Sequence, residues 1–294
     1  MPTTATGGGA SDLRVALPAD AERTDGAAWA ALANEMLASL GSRSPVATGG
    51  AGWDESEAFD QARALDETAT AGAGEPERIA CTDAQGRPLL HGWVLDGKPH
   101  DRWVVWSADG TRLFSGRFDL GSPEGAWSWW DESGELRTEG YFEHGRAQSL
   151  WREYYAGGRE MSAIEYRDGL QHGEVNEWWE DGSPRTDGEY AEGERDGWWQ
   201  TWHDNGQPRA RGLYRSGLRE GLWDEWHDNG VLMQQANYRR GRPDGLWREW
   251  YRDGSLKAEG GFVDGKREGI WNFLEFDGSI DPRSGEYHDG RKIR

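Results

Sequence analysis

The stretch YRSGLREGLWDEW at residues 214–226 is followed, 24 residues later, by YRRGRPDGLWREW at residues 238–250. The tyrosine, the glycines and both tryptophans keep their places in the two copies. Self-similarity at a fixed period of about 20–50 residues is the signature of a repeat architecture. With Val175 in the one internal gap, the same step generates a first aromatic column of Trp103, Trp127, Trp151, Trp199, Trp223, Trp247 and Trp271. The sequence therefore predicts nine tandem repeats over 79–294.

Each repeat carries a turn signal at its eighth position, as in HDNG at 203–206 and again at 227–230. Asn-Gly and Asp-Gly between aromatic runs predict a hairpin, because glycine reaches φ > 0 without a Cβ clash. A second glycine cluster, as in YRSG at 214–217, predicts a second turn. We expect an elongated, single-layer antiparallel β-meander of eighteen strands. Its predicted turn glycines are Gly110, Gly134, Gly158, Gly182, Gly206, Gly230 and Gly254.

A second aromatic column lies three residues after the first. Its members form the candidate interaction surface: Trp106, Trp130, Tyr154, Trp178, Trp202, Trp226 and Trp250. Glycines beside the two columns leave backbone on which a ring can lie flat. Most rings could be the internal packing of the sheet, or one column could stay exposed as a recognition surface. The sequence does not decide which column faces solvent.

Composition excludes several classes of protein. Only 35% of the 294 residues are apolar, yet 12% are aromatic, and the mean hydropathy is −0.91. No apolar run of about 18 residues predicts a membrane span, and the amino-terminal sequence does not resemble a secretory signal. The net charge of −20 argues against nucleic acid and anionic membranes. We expect a cytoplasmic protein without disulfides, since Cys81 has no second cysteine to pair with.

Residues 1–78 differ from the repeats: they are acidic, rich in alanine and glycine, and predicted to be largely disordered. Within them a short amphipathic helix is expected near 27–40, ended by Gly41. Its apolar stripe is Trp29, Leu32, Met36, Leu37 and Leu40. A second, weaker helix is expected near 55–68. The first helix could dock on the open sheet edge near Ile79, which would protect an uncovered strand, or it could bind a partner.

No catalytic, cofactor-binding or metal site is predicted. His203 and His227 share a column, but residues two strands apart lie about 10 Å from each other, which is too far to ligate one zinc ion. Acidic residues beside the turn glycines, such as Asp109, Asp181, Asp253 and Asp277, are expected to shape the turns. No nucleophile elbow or phosphate-binding glycine loop occurs. The chain is not expected to be an enzyme.

The pattern Tyr-x-x-Gly-x-x-x-Gly-x-Trp at 214–223 and 238–247 resembles the MORN repeat, and most closely its bacterial variant type. The resemblance covers 79–294. It implies an array of β-hairpins that acts as a scaffold or interaction module, in some bacterial relatives labelled an antitoxin. The affinity for acidic lipids that the family suggests does not fit 28 basic against 40 acidic residues over that range.

We therefore expect a non-enzymatic repeat scaffold that binds a protein partner through an extended aromatic and acidic sheet surface. The alternative is carbohydrate or cell-wall binding by ladders of tryptophan and tyrosine, which would require coplanar, solvent-facing rings. Binding to an acidic lipid surface ranks third. Membrane, nucleic-acid and small-molecule partners are not favoured.

Overall fold

The computed structural model describes residues 74–83 and 85–294. In those residues nineteen strands form an open antiparallel sheet, and no helix occurs. The predicted all-β antiparallel class is therefore confirmed. The expected total of eighteen strands was one too low, because the chain adds the two-residue strand Arg291–Lys292 at its end. The number of repeats and the elongated shape stay predictions, and the helices expected near 27–40 and 55–68 lie outside the described residues.

The chain divides into two halves, of which the first ends at Ala147 and the second begins at Gln148. The first half contains β1 (Glu77–Thr82), β2 (Pro88–Leu95), β3 (Lys98–Trp106), β4 (Arg112–Asp119), β5 (Ser122–Trp130) and β6 (Leu136–Glu143). Strand β7 (Arg146–Tyr154) contains the division. The second half continues with β8 (Glu160–Arg167), β9 (Leu170–Trp178), β10 (Pro184–Ala191), β11 (Glu194–Trp202), β12 (Pro208–Arg215), β13 (Leu218–Trp226), β14 (Leu232–Arg239), β15 (Arg242–Trp250), β16 (Leu256–Val263), β17 (Lys266–Phe273), β18 (Gly285–His288) and β19 (Arg291–Lys292).

The predicted turn glycines end a three-residue hairpin loop. At 203–207 the Gly206 amide donates to the His203 carbonyl at 3.0 Å, and the His203 amide donates to the Gln207 carbonyl at 2.9 Å. Gly206 has φ = 80°, the left-handed conformation that closes a type I turn with a bulge. The other six predicted glycines have φ between 77° and 93°. Glycine suits this position because φ > 0 costs a residue with a Cβ atom.

The second turn of each repeat is tighter and places two consecutive residues at positive φ. In the β4–β5 hairpin, Asp119 pairs with Ser122, and the central residues Leu120 and Gly121 have φ of 45° and 91°. Two-residue loops with both residues at φ > 0 are type I′ turns, which match the twist of the flanking strands. Other non-glycine residues at the first central position include His144, Glu192 and Arg240.

Rings of the first aromatic column lie flat on glycine in the neighbouring strand. A Cβ atom built on Gly212 would lie 2.3 Å from the Trp223 ring, and the Trp223 indole N–H donates to the Leu213 carbonyl at 3.0 Å. Tyr214 packs edge-on against the same ring, with centroids 4.9 Å apart. Gly92, Gly116, Gly188 and Gly260 seat Trp103, Trp127, Trp199 and Trp271 in the same way. We call each of these glycines a ring seat: because glycine has no side chain, the tryptophan ring can lie directly against the backbone.

Trp247 is the exception that reveals how the seat works. The residue across from it is Ala236 instead of glycine, and this alanine is fully buried. The Trp247 indole N–H donates to the Glu249 carboxylate at 3.0 Å, not to a backbone carbonyl of the next strand. The ring is only partly buried, whereas Trp223 is 3% exposed. Where the methyl group of Ala236 replaces the hydrogen of glycine, the Trp247 ring is thus less buried and forms a different hydrogen bond.

Candidate binding groove

The two aromatic columns differ in burial. Most rings of the first column are at most 4% exposed, so they form the core of the sheet. Every ring of the second column is half-buried, which leaves part of each ring at the surface. The second column is Trp106, Trp130, Tyr154, Trp178, Trp202, Trp226 and Trp250. The column chosen from the sequence as a candidate interaction surface is therefore the more accessible of the two.

An open groove of about 660 Å³ lies in the second half, and its lining combines aromatic rings with arginine side chains. Trp199 and Trp223 come from the first column, and Trp202 and Trp226 come from the second. The charged residues of the lining are Arg185, Arg195, Arg209, Arg219, Arg252, Glu177, Glu225 and Asp228. Five arginines against three carboxylates give this groove an excess of positive charge in a chain whose net charge is −20.

Arg219 is fixed by rings on two strands and by one carboxylate. Its guanidinium carbon lies 4.2 Å from the Trp223 ring centroid and 5.3 Å from that of Tyr238. Its Nη1 atom lies 2.6 Å from Glu225 Oε1. Burial lowers the pKa of Arg219, but Glu225 and the nearby tyrosine hydroxyls raise it by more, so the pKa lies above its ordinary value. Arg219 therefore adds a fixed, neutralised positive charge to the lining of the groove.

Arg195 occupies the equivalent place one repeat earlier, with a different charge balance. Its guanidinium carbon lies 4.5 Å from the Trp199 centroid, and its Nη1 donates to the Tyr214 hydroxyl at 3.3 Å. Burial lowers its pKa, while the Tyr214 and Tyr190 hydroxyls raise it above the ordinary value. Within residues 74–83 and 85–294, no carboxylate forms a salt bridge with Arg195 or with exposed Arg209. Arg195 is thus held by hydroxyl and ring contacts, without a carboxylate counter-ion in the described part of the chain.

The remaining charged groups of the groove are internally paired. Arg185 lies 3.7 Å from Glu177 and stacks over Trp179, and Arg252 forms an ion pair with Asp228. His203 donates through Nε2 to the Trp226 carbonyl at 3.0 Å, and His227 makes the same contact to Trp250. Both histidines thus connect one repeat to the next.

The structure brings Trp202 and Trp226 together in this groove; the other five rings of the second column are not part of its lining. Sequence reasoning missed the arginines. The signal was one column of the repeat, which is occupied by arginine in only some repeats: Pro99, Pro123, Ala147, Gln171, Arg195, Arg219, Pro243 and Arg267. The positive charge at Arg195, Arg219 and Arg267, each four residues before a tryptophan of the first column, could have indicated cation–π stacking.

The acidic turn residues bind their own loops. Asp181 Oδ1 accepts from the Ser183 amide at 2.8 Å and from the Ser183 hydroxyl at 2.6 Å. These hydrogen bonds lower the pKa of Asp181 below its ordinary value. Asp253 and Asp277 accept from the serine two residues later in the same way. In the part of the chain that the structure describes, no group of three or more His, Cys, Asp or Glu side chains could hold a metal ion, and no helix could cross a membrane.

Comparison with known families identifies the repeat. The family described as "MORN repeat variant" matches residues 123–144, 219–240 and 243–264. These three segments are MORN repeats of the variant type. The resemblance inferred from the tyrosine, glycine and tryptophan spacing is thereby confirmed. The MORN segment 219–240 includes Arg219, Trp223 and Trp226 of the groove. No curated protein matches the chain.

Two solved structures share local similarity with the chain. One is titled "Crystal structure of GtfA/B complex bound to UDP and GlcNAc", at 14% identity, 50% of this chain, 26% of that chain and a TM-score of 0.18. The other is titled "Crystal Structure of TcdB2-TccC3-Cdc42", at 11% identity, 69% of this chain, 13% of that chain and a TM-score of 0.19. The chain thus spans only a small part of either protein.

Proposed function

We propose that the MORN repeats form a non-enzymatic scaffold whose groove binds an acidic segment of a protein partner. The observation that carries this proposal is the stacked guanidinium of Arg195, which has rings on its faces and no salt bridge to a carboxylate in the described residues. Tryptophan, tyrosine and arginine are the residues most enriched among binding hot spots. An aspartate or glutamate of the partner would supply the missing charge, with neighbouring apolar groups packed on Trp202 and Trp226.

The arginine-rich lining changes the kind of surface expected from the sequence. An acidic aromatic surface would favour a basic partner, whereas this groove favours a short acidic one. A long polyanion such as nucleic acid would be repelled by the rest of a chain of net charge −20. A short segment escapes most of that repulsion, because charges farther than about 8 Å away are screened at physiological ionic strength. The proposal places the partner in the cytoplasm and involves no metal or cofactor.

Two further possibilities are outcomes of the same test. If the partner is a toxin, the antitoxin role implied by the family resemblance becomes the specific form of this function. Carbohydrate binding needs open ring faces, but Arg211 already lies over Trp226, 5.2 Å from its centroid. Carbohydrate binding by ladders of tryptophan and tyrosine is therefore the second candidate.

The experiment is affinity purification from a lysate of the source organism with the full-length chain, followed by mass spectrometry. A variant carrying Arg195→Glu and Arg209→Glu should lose the stoichiometric partner. The matched control carries the same change of charge at Arg291 and Arg294, which lie at the exposed end of the sheet. Equal capture by all three proteins would contradict the groove as the binding site. If no protein is captured, a glycan array becomes the next test.

A further inference from the structure

A row of paired residues crosses the strands of the first half, and it differs from its counterpart in the second half. In the first half the cross-strand neighbours are Leu90, Val105, Phe114, Trp129 and Thr138. In the second half the equivalent row is Thr186, Thr201, Ala210, Glu225 and Gln234. We call these the apolar row and the polar row. The polar row includes four residues that line the groove. The apolar row thus occupies the place that, in the second half, is open to a ligand.

The two rows also differ in burial. Leu90, Phe114 and Trp129 are 1%, 2% and 1% exposed, whereas every residue of the polar row is half-buried. Phe114 and Trp129 pack together, with ring centroids 6.0 Å apart. In residues 74–83 and 85–147 the strands form one layer, and a single layer leaves its faces open unless something packs on them. The apolar row is therefore the floor of a packed interface.

The sequence provides a segment that fits this floor. Residues 1–73 precede β1, and β1 pairs with the strand that carries Leu90. The helix predicted at 27–40 would be about 20 Å long at 1.5 Å per residue. The apolar row covers five strands, which at about 4.8 Å spacing is about 19 Å. The predicted stripe of Trp29, Leu32, Met36, Leu37 and Leu40 is apolar along the same length.

We propose that residues 27–40 pack on the apolar row and occupy, in the first half, the position that the groove leaves open in the second. Residues 41–73 provide more than enough chain to reach from this row to Gly74. The first half is then closed by the protein's own amino-terminal segment, and only the second half offers a groove to a partner. This inference is independent of which partner the groove binds.

The test uses the full chain with Cys81→Ser, so that one introduced cysteine carries a paramagnetic label. Ala38→Cys places the label on the polar side of the predicted helix. The indole N–H signals of Trp127 and Trp129 should lose most of their intensity, and those of Trp199 and Trp223 should keep it. Replacing Met36 and Leu37 by aspartate should restore the Trp129 signal, whereas Ala31→Asp and Asn34→Asp on the opposite side should not.

Three results would overturn the proposal. The Trp129 signal could be unaffected by the label, or Trp223 could lose as much intensity as Trp129. The third result uses a mixture of spin-labelled protein at natural isotope abundance and ¹⁵N protein that carries no spin label. Loss of the Trp129 signal in that mixture would mean that a second copy covers the row. If Met36→Asp and Leu37→Asp together unfold the chain, Leu32→Ser alone serves as the milder stripe variant.

Discussion

At Gly212 a Cβ atom would lie 2.3 Å from the Trp223 ring, although the backbone there does not require glycine. Gly212→Ala should therefore destabilise the protein through the ring alone. Overpacking a core typically costs about 1–3 kcal/mol, and we expect a loss of at least about 1 kcal/mol in the free energy of unfolding by denaturant titration. An unchanged stability would contradict the ring seat.

The matched control is the reverse change at the repeat where alanine is native. Ala236→Gly should let Trp247 lie flat, so its indole N–H should exchange the Glu249 carboxylate for a backbone carbonyl of the neighbouring strand. Hydrogen exchange of that indole should slow toward the rate of Trp223. Continued fast exchange would mean that another contact holds Trp247 away from the sheet.

The ion pair between Asp281 and Arg283 is expected to make the stability of the protein depend on pH in the acid range. The Arg283 side chain and backbone amide donate to the buried carboxylate of Asp281 and lower its pKa from 3.8 to about 2. Because the folded pKa is depressed, this stabilisation is complete above about pH 4 and is lost as the pH falls toward 2. The melting temperature of Asp281→Asn should be lower than that of wild type at pH 6, and the two should converge near pH 2. A constant difference across this range would refute the linkage.

At the residue scale, the sequence predicted the turn glycines and the use of glycine as a ring seat, because backbone chemistry leaves few alternatives at those positions. The grouping of Arg195 with Trp199 and Tyr214 could not be predicted. A 24-residue period places equivalent residues in columns, but it does not specify how a long side chain runs across the strands. The burial of a column also depends on all of its neighbours together.

At the scale of the element, the tight turn is tied to the preceding repeat. The Arg240 amide donates to Glu220 Oε2 at 2.8 Å, and the Ser216 amide donates to Asp196 Oδ1 at 3.0 Å. In the first half the His144 amide donates to Glu124 Oε2 at 2.8 Å. Each contact joins residues 20 positions apart, so adjacent repeats stabilise one another as in other repeat proteins.

These turns also contain strain that a substitution can relieve. Leu120 has φ = 45° and is 45% exposed, so its side chain gains little from burial. Asparagine tolerates this conformation far better, and asparagine followed by glycine is the preferred type I′ turn. Leu120→Asn should raise the free energy of unfolding by about 0.5–1 kcal/mol, measured by denaturant titration. Asp264→Asn is the control, because aspartate at the same turn position already tolerates φ > 0, and it should be nearly neutral. Destabilisation by Leu120→Asn would contradict this account.

The first hairpin turn was predicted from Asn-Gly and Asp-Gly and the second from a further glycine cluster, since turn chemistry is local. The bulge that recurs beside the ring column was not. In β13 the register shifts around Gly221, which has φ = 68°. Such a bulge depends on how two strands align, and one strand's sequence does not contain that information.

At the scale of the whole molecule, charge and aromatic surface are distributed unequally. The chain carries a net charge of −20, yet five arginines line one groove, and a buried apolar row takes the equivalent place in the first half. The period predicted the same surface in every repeat. The difference arises because the residues that vary between repeats, and not the shared tryptophans and glycines, decide which part of the sheet can bind.

Backbone hydrogen exchange of the full-length protein, alone and in complex with the partner obtained by affinity purification, tests directly whether the groove is the binding site. We expect the partner to slow exchange in β11, β12 and β13, around Arg195 and Trp223, and to leave exchange in β3, β4 and β5 unchanged. Protection confined to β3, β4 and β5, with no change in β11 to β13, would contradict the groove as the site of partner binding.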